Sequence, residues 1–490
     1  MAQGKQVLIR NGMVLDGTGA RERRVDVLVQ DGKIARVENE IMTRDVAGAD
    51  FIDAGGLFVT PGFIDAHSHA DGGLLDTPQA ETQLRQGITT SCVGQDGGHN
   101  FPLADWFARV EARRVGINVA SFAGHGTLRG EVLGKDYQRP ATPGEIVQMR
   151  ALLAREMKTG ALGLSSGLEY EPGLFGTTEE IIALAEVAGI YDGLYISHVR
   201  DEENGALKSF IELVTIAERG RLPGQISHIK LASAPVWNKT GEVFRLMDAA
   251  RSRGVDISAD IYPYTYWQST ITTLLDDRNF DDLAAWNKAL ASIGGPANVL
   301  VTSFTPDPTW EGKTLAEIAL QAKQDGASVA RDLVKRTRGA NGERLSSESV
   351  VVTAMQEKDL RAFIADKRIM FCTDGGLRGS HPRGAGSYPR VLGRYVRDER
   401  VLPLAEAVRK MTSLPASRMR LANRGRVAPG YFADLVVFDP RTVRDTATTK
   451  DPRAKPIGIR YVLVNGVTVL QNDEMTGALP GMALRRSGRG

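Results

Sequence analysis

The chain has 490 residues, of which 42% are hydrophobic and 24% are charged, and its net charge is +2. This composition is typical of a globular protein with a sizeable core. Because the sequence has no basic stripe and no run of about 18 apolar residues, we expect neither nucleic acid nor a membrane as a partner. Two cysteines exclude a disulfide scaffold and, with no apolar leader at the start, predict a cytoplasmic location.

The two ends of the chain share one pattern of short β-rich runs. Near the start, VLIRNGMVLDG and DVLVQDGKIARVE contain Asn-Gly and Asp-Gly, which favour hairpin turns. Near the end, ADLVVFDP and IRYVLVNGVTVLQND look similar. We therefore predict that residues 1–59 and 425–490 together form one small β-domain.

Residues 60–424 alternate apolar strands with helical segments such as TPGEIVQMRALLAREMKTG. This alternation indicates βαβ units and a parallel sheet, so the predicted class is α/β with a TIM-type barrel. Most proposed strands end in polar residues, where barrel enzymes place catalytic groups. Residues from about 276 to 350 interrupt the alternation and are predicted to form a partly helical lid. The proposed strands are GFIDAHSH, GITTSCVGQD, GINVASFAGHG, GALGLSSGLEY, GLYISHVRDE, GQISHIK, VDISADIYPY and RIMFCTDGG.

The first proposed barrel strand ends in Asp-Ala-His-Ser-His. Side chains alternate along a strand, so His67 and His69 point the same way, about 7 Å apart at their Cα atoms. Two converging imidazoles can share a metal ion. The motif alone equally allows one core histidine and one surface histidine.

The remaining histidines favour a metal site. His198 and His228 each follow a serine at the end of a proposed strand, and Asp374 ends the eighth strand. Imidazoles and a carboxylate from separate barrel strands supply the donors that zinc binds. Zinc acidifies bound water and polarises a carbonyl. Asp374 is the predicted acid/base that moves the proton to a leaving nitrogen, with a metal-ligand role as the alternative.

These residues resemble the amidohydrolase superfamily through PGFIDAHSH, NGMVLDGTG and GRVAPGYFADLVVFDP. Within it, the runs AGHGTLR, LGLSSGLEYEPG, ISHVRDEE, ISHIK, DIYPYTY and SHPRGAGSYPRVLGRYV resemble the D-aminoacylase (N-acyl-D-amino-acid deacylase) family. The resemblance covers essentially the whole chain. It implies a metal-dependent (β/α)8 barrel with a small β-sandwich made by both termini. It also implies one tightly bound Zn²⁺ and a second position that is weaker or vacant.

The resemblance assigns the ligands residue by residue. His198 and His228 belong to the tighter metal, whereas His67, His69 and Asp374 belong to the second position. The chain departs from the family at strand two.

The family usually has a metal-binding cysteine where the run VGQDG places Asp96. A carboxylate is an acceptable but harder zinc ligand, so the identity of the metal is in question. Cys92 is the alternative ligand, but it lies four residues earlier on the same strand face, about 13 Å deeper in the barrel.

The resemblance also implies groups that hold the substrate carboxylate. Lys230 lies two residues past His228 and faces the same side of its strand. His125, at the end of strand three, is predicted either to hydrogen-bond the substrate or to support the site from behind. Further carboxylate contacts implied by the resemblance are Tyr264, Ser269 and Arg278.

The predicted function is hydrolysis of a small-molecule N-acyl-D-amino acid to a D-amino acid and a carboxylate. A cyclic-amide hydrolase of the dihydroorotase or hydantoinase type is an alternative, as is an unusual dipeptidase. Many amidohydrolases carry a bridging lysine on strand four, where this chain has Ser165 and Ser166. A non-catalytic barrel without metal is a further alternative. The intact set of metal-binding side chains argues against it, namely His67, His69, His198, His228 and Asp374. The sequence leaves open the acyl group, the side chain, the number of metals and the oligomeric state.

Overall fold

The computed structural model describes residues 6–275, 278–339 and 345–486. Parts of the predicted lid (276–277 and 340–344) and of the predicted terminal domain (1–5 and 487–490) lie outside the described residues. The strands, in chain order, are β1 Gln6–Arg10, β2 Met13–Val14, β3 Arg23–Arg24, β4 Asp26–Gln30, β5 Lys33–Glu38, β6 Asp50–Asp53, β7 Phe58–Pro61, β8 Phe63–Asp65, β9 Ile88–Val93, β10 Asn118–Ser121, β11 Ala123–Gly124, β12 Gly163–Gly167, β13 Leu194–His198, β14 Gly224–Ile226, β15 Ile257–Ile261, β16 Tyr266–Ser269, β17 Val299–Phe304, β18 Glu348–Thr353, β19 Ile369–Phe371, β20 Leu435–Phe438, β21 Ile459–Val464, β22 Val467–Gln471 and β23 Glu474–Met475.

The helices mostly follow the strands and cover them. Helix α4 shows how the sequence sets its ends: the Thr142 side chain caps the first turn in a capping box with Glu145, and Gly160 ends the helix in a left-handed conformation. The α-helices are α1 Glu81–Leu84, α2 Leu103–Arg113, α3 His125–Leu133, α4 Pro143–Thr159, α5 Thr178–Ile190, α6 Ala206–Gly220, α7 Thr240–Ser252, α8 Leu283–Ser292, α9 Leu315–Ala322, α10 Gly326–Thr337, α11 Glu357–Ala365, α12 Arg383–Arg390, α13 Leu404–Met411 and α14 Ser413–Arg418. Among the described helices, none is long and apolar enough to cross a bilayer.

Eight parallel strands follow one another in the order that the sequence predicts. They form two hydrogen-bonded runs, β8-β9-β10 and β12-β13-β14-β15-β19, the latter flanked by β11. At one junction the Leu162 amide donates to the Ser121 carbonyl over 2.8 Å. At the other, the Asp374 amide donates to the His67 carbonyl over 2.9 Å. All residues of these eight strands are buried, as expected when helices cover a parallel sheet.

Both ends of the chain build the sheets beside the barrel. One sheet has the order β5-β4-β1-β6, and the other has the order β23-β22-β21-β20-β7-β2-β3. In the second sheet, β20 lies antiparallel to β7, with Val437 opposite Val59. Apolar side chains from both ends of the chain, such as Val29 and Leu463, share one hydrophobic cluster. The domain boundaries themselves stay a prediction.

An insertion between β15 and β19 forms a separate layer at the barrel mouth. Its antiparallel sheet has the order β16-β18-β17, and with α8 to α10 it encloses an apolar cluster that includes Trp286 and Phe304. Trp237 Nε1 donates to the Ala354 carbonyl over 2.8 Å and thereby ties the barrel to the insertion. Strand β16 places its side chains at the rim of the cleft described next.

Candidate metal centre

The carboxyl ends of the barrel strands open into a cleft of about 430 Å³ beneath the insertion. Histidine and carboxylate side chains converge at its floor in two clusters that share one residue. Within each cluster, one ligand atom from every residue lies within 4.8 Å of the others. The first cluster is His67, His69, Asp96 and Asp374, and the second is Asp96, His198 and His228.

Asp96 is the residue common to both clusters. Its Oδ1 lies 3.4 Å from His67 Nε2 and 3.5 Å from His228 Nε2, and its Oδ2 lies 3.2 Å from His69 Nε2. The backbone of Asp96 is left-handed, with φ of 52°, a conformation that aspartate tolerates better than most residues. This carboxylate therefore offers an oxygen to each of the two clusters.

The chemistry of the donors fits a metal ion. Both ring nitrogens of His67 and Oδ1 of Asp96 are buried without a hydrogen-bond partner among the described residues. Leaving such atoms unpaired costs about 1–3 kcal/mol each, which a bound cation would offset. Burial alone would raise the pKa of Asp96, but the imidazoles of His67 and His228 outweigh it and hold the pKa well below its usual range. Imidazole and ionised carboxylate together are ligands of zinc and related ions.

Cys92, the alternative ligand, lies elsewhere. Its side chain is buried in the barrel interior with Ile64 and Ala120, and burial raises the pKa of its thiol. A protonated thiol in an apolar cluster is not a metal ligand.

Asp374 connects the first cluster to a guanidinium. Its Oδ1 lies 3.5 Å from His67 Nε2 and 3.2 Å from His69 Nε2, and its Oδ2 forms an ion pair with Arg383 Nη1 at 2.6 Å. Burial alone would raise the pKa of Asp374, but Arg383 and His228 outweigh it, so the pKa lies well below its usual range. Asp374 is therefore an ionised carboxylate held in one orientation.

Two further carboxylates stand behind the second cluster. Glu169 Oε2 lies 2.6 Å from His198 Nε2, and Glu202 Oε1 lies 3.1 Å from His228 Nδ1. The opposite ring nitrogens, His198 Nδ1 and His228 Nε2, face each other across 3.1 Å. Carboxylates in such positions fix the tautomer and orientation of metal-binding imidazoles. Glu202 escaped the sequence analysis because it lies in the loop after β13, where strand alternation no longer indicates direction.

Lys230 and Ser269 both line the cleft, as their predicted roles require. Lys230 is buried, and its Nζ donates to both carboxylate oxygens of Glu202 over 2.7 Å. The Lys230 ammonium and the Arg383 guanidinium lie 5.7 and 4.8 Å from the centre of the Tyr262 ring. The Tyr262 hydroxyl is buried and has no hydrogen-bond partner within the described part of the chain. These three side chains form one polar corner.

Tyr264 lies outside this corner. Its hydroxyl donates to the Pro382 carbonyl over 3.4 Å, and Arg390 covers its ring at 4.7 Å. The chain turns tightly after β15, since the Tyr264 amide donates to the Tyr262 carbonyl over 3.0 Å. Tyr262, and not Tyr264, therefore lies beside Lys230 and Arg383.

Arg278 and His125 also lie away from the cleft floor. Arg278 donates to the carbonyls of Thr272 and Glu169, both over 2.7 Å, and so braces the wall behind Glu169. His125 begins α3, and its Nε2 lies 2.8 Å from the buried carboxylate of Glu180. Their positions indicate support of the fold rather than substrate contact.

A known protein family, described as the amidohydrolase family, matches residues 50–330 and 361–470. The chain belongs to this family. Among amidohydrolases it is 34% identical to the D-aminoacylase of Alcaligenes xylosoxydans xylosoxydans over 99% of both chains. It is also 34% identical to the N-acyl-D-glutamate deacylase of the same organism, over 99% of this chain and 98% of the relative. The N-acyl-D-aspartate deacylase of that organism is 30% identical over 97% and 94%.

Solved structures confirm the predicted fold class of this amidohydrolase. The crystal structure of a D-aminoacylase superposes with a TM-score of 0.86 at 32% identity, covering 98% of this chain and 99% of that one. The N-acyl-D-glutamate deacylase of Bordetella bronchiseptica has a TM-score of 0.86 at 33% identity, over 99% and 100%. That crystal contains zinc and a phosphonate inhibitor that mimics the tetrahedral intermediate. The predicted D-aminoacylase family membership is likewise confirmed.

Proposed function

We propose that this amidohydrolase hydrolyses N-acyl-D-amino acids to a D-amino acid and a carboxylate, with zinc as its metal. The proposal is carried by the convergence of imidazoles and carboxylates on one buried cleft floor. It is supported by similarity along the whole chain to D-aminoacylase and two related deacylases. We expect one tightly held Zn²⁺ and a second, weaker one. The proposed ligands are Asp96, His198 and His228 for the tighter ion and His67, His69, Asp96 and Asp374 for the weaker one.

When bound there, zinc supplies a Lewis acid that lowers the pKa of water and polarises the acyl carbonyl. Asp374 is the proposed proton carrier, because its Oδ1 faces His67 and His69 at the cluster. Being ionised, it accepts a proton from the attacking water and delivers it to the leaving nitrogen. Arg383 holds Oδ2, so that the carboxylate keeps one orientation through both transfers.

The polar corner of Lys230, Tyr262 and Arg383 is the proposed site for the substrate α-carboxylate. The two cations attract the carboxylate, and the Tyr262 hydroxyl is a donor with no described partner. Ser269 lines the cleft and supplies a further hydroxyl donor. With the α-carboxylate and the acyl group fixed at two points, the cleft walls provide the third contact, which separates the side chain from the α-hydrogen and so distinguishes D from L.

The test is the hydrolysis of matched N-acetyl-D- and N-acetyl-L-amino acids, which is measured through the release of the primary amine. The chelator-treated protein is compared with the same preparation after zinc is restored. We expect turnover of D substrates that depends on zinc, and little turnover of L substrates or of the cyclic amide dihydrouracil. Equal rates on D and L, turnover of the cyclic amide alone, or full activity without metal would contradict the proposal.

A further inference from the structure

The cleft also carries information on the side chain of the substrate. Two of the relatives are named for acidic substrates, N-acyl-D-glutamate and N-acyl-D-aspartate, and the third is named D-aminoacylase. All three have a similar sequence identity to this chain. Similarity alone therefore does not choose between acidic and uncharged side chains. We propose that this enzyme selects N-acyl-D-amino acids with uncharged side chains and discriminates against the acidic ones. This inference rests on the proposed function.

The cations that line the cleft lie together in one corner. Among the described residues that line it, the lysine and arginine side chains are Lys230 and Arg383 alone. Both are buried and already form ion pairs, Lys230 with Glu202 at 2.7 Å and Arg383 with Asp374 at 2.6 Å. Both flank the ring of Tyr262, so they make one corner that suits one carboxylate. The α-carboxylate of any substrate occupies that corner.

The wall of the cleft that the insertion forms has no charged side chain among the described lining residues. Trp267, Gln268 and Thr273 line the side formed by the insertion, and all three are uncharged. The Gln268 amide donates to Ser349 Oγ over 2.9 Å and to Ser380 Oγ over 2.5 Å, so its donor group is already engaged. A second substrate carboxylate would lose water there without gaining a cation.

The wall beside His198 presents a carboxyl group rather than a cation. Glu169 lines the cleft there, with its Oε2 2.6 Å from His198 Nε2. The neighbouring Arg278 turns its guanidinium to the backbone carbonyls of Thr272 and Glu169 instead of to the cleft. A second substrate carboxylate at this wall would lose hydration without gaining a cation, which should reduce kcat/KM on the order of 100-fold.

The two substrates that test this preference most directly are N-acetyl-D-glutamine and N-acetyl-D-glutamate, because they have nearly the same shape and differ in charge. With the zinc-loaded enzyme at pH 8, we expect kcat/KM to be on the order of 100-fold higher for the glutamine substrate. N-acetyl-D-leucine is measured alongside as an uncharged reference. Equal values for the pair, or a preference for glutamate, would overturn the inference while leaving the proposed function intact. If none of the three D substrates is hydrolysed, the proposed function itself fails.

A gain-of-charge variant tests the location of the effect. Gln268→Lys adds a cation to the uncharged wall and should reduce the glutamine-to-glutamate ratio by about 10-fold or more. Gln268→Met has a similar length and no charge, so it controls for loss of the amide. If both variants shift the ratio equally, or neither does, charge at this wall does not set the preference and the inference is wrong.

Discussion

At the scale of single residues, Asp96 and Asp374 differ in the clusters to which they contribute. Asp96 supplies an oxygen to both clusters, whereas Asp374 belongs only to the cluster of His67 and His69. Asp96→Ala should therefore lower the zinc content toward zero, measured by elemental analysis after dialysis.

Asp374→Asn should retain the tighter zinc while kcat falls by about 100-fold or more, because proton transfer is lost. Normal zinc in Asp96→Ala, or normal turnover in Asp374→Asn, would contradict these roles.

Glu169 orients His198 through a single hydrogen bond of 2.6 Å. Glu169→Gln keeps a possible acceptor but removes the charge, so we expect zinc affinity to weaken about 10- to 100-fold. Competition with a chromophoric chelator measures this, and the absorption bands of the cobalt-substituted enzyme report the altered geometry. Glu171→Gln is the matched control, because Glu171 accepts from the exposed Tyr137 hydroxyl instead. Equal zinc affinity in both variants would show that Glu169 does not orient His198 for metal binding.

The sequence identifies residues at strand ends better than residues in the loops beyond them. His198 is the last residue of β13, and alternation places it at the barrel mouth. Asp374 lies beyond the end of β19 and has a left-handed backbone with φ of 48°. The family resemblance, and not alternation, predicts substrate contacts for Tyr264 and Arg278. Tyr264 follows a tight turn after β15, and Arg278 has a left-handed backbone with φ of 55°. Side-chain direction in loops depends on such local dihedral angles.

At the scale of elements, a buried ion pair joins α3 to α5. Glu180 accepts from Arg129 NH1 over 2.6 and 2.7 Å and also contacts His125. Glu180→Gln leaves the Arg129 charge buried without its partner and should destabilise the protein by about 3–5 kcal/mol. Thermal unfolding measures the loss.

Glu179→Gln is the matched control, since Glu179 is the preceding residue of α5 and pairs with Arg219 on the surface. It should leave the unfolding temperature nearly unchanged, because exposed ion pairs contribute little. An equal shift in both variants would show that burial of the Arg129 pair does not matter. Unchanged zinc content in Glu180→Gln would agree with a structural role for His125.

The elements themselves differ in how well the sequence predicts them. The eight barrel strands are rich in apolar residues, and most of the proposed segments begin at or after a glycine, which makes them easy to recognise. Strand β16 is harder to predict from the sequence. Its residues YWQS pair with β18, where Trp267 lies opposite Val352, and β18 is far away along the chain. Only that distant partner makes this segment a strand. Pairing between distant segments is tertiary information that a local pattern lacks.

At the scale of the whole molecule, Lys410 links global stability to pH. It is fully buried, donates to the carbonyls of Ile364 and Asp366, and burial lowers the pKa of its ammonium from 10.5 to about 7. Between pH 7 and 10.5 the unfolded chain therefore binds a proton that the folded chain does not. Stability gains from this group as pH rises through that window, by at most about 1.4 kcal/mol per pH unit, and the dependence ends below pH 7.

Lys410→Met removes the titrating group, so the difference in unfolding temperature between wild type and variant should grow in favour of wild type from pH 7 to pH 10. Lys367→Met, at an exposed lysine, controls for the loss of one charge. A difference between wild type and Lys410→Met that is constant across the window would show that Lys410 does not link stability to pH.

The antiparallel pairing of β7 with β20 has a consequence for how the chain is made. Strand β7 immediately precedes the first barrel strand, yet its partner follows the whole barrel in the sequence and therefore leaves the ribosome much later. Until that partner emerges, one edge of β7 has no neighbour and offers free backbone groups to other chains. The barrel can be complete in outline before this edge is covered. Interruption of synthesis just before β20 thus produces the species of this protein that is most prone to aggregate.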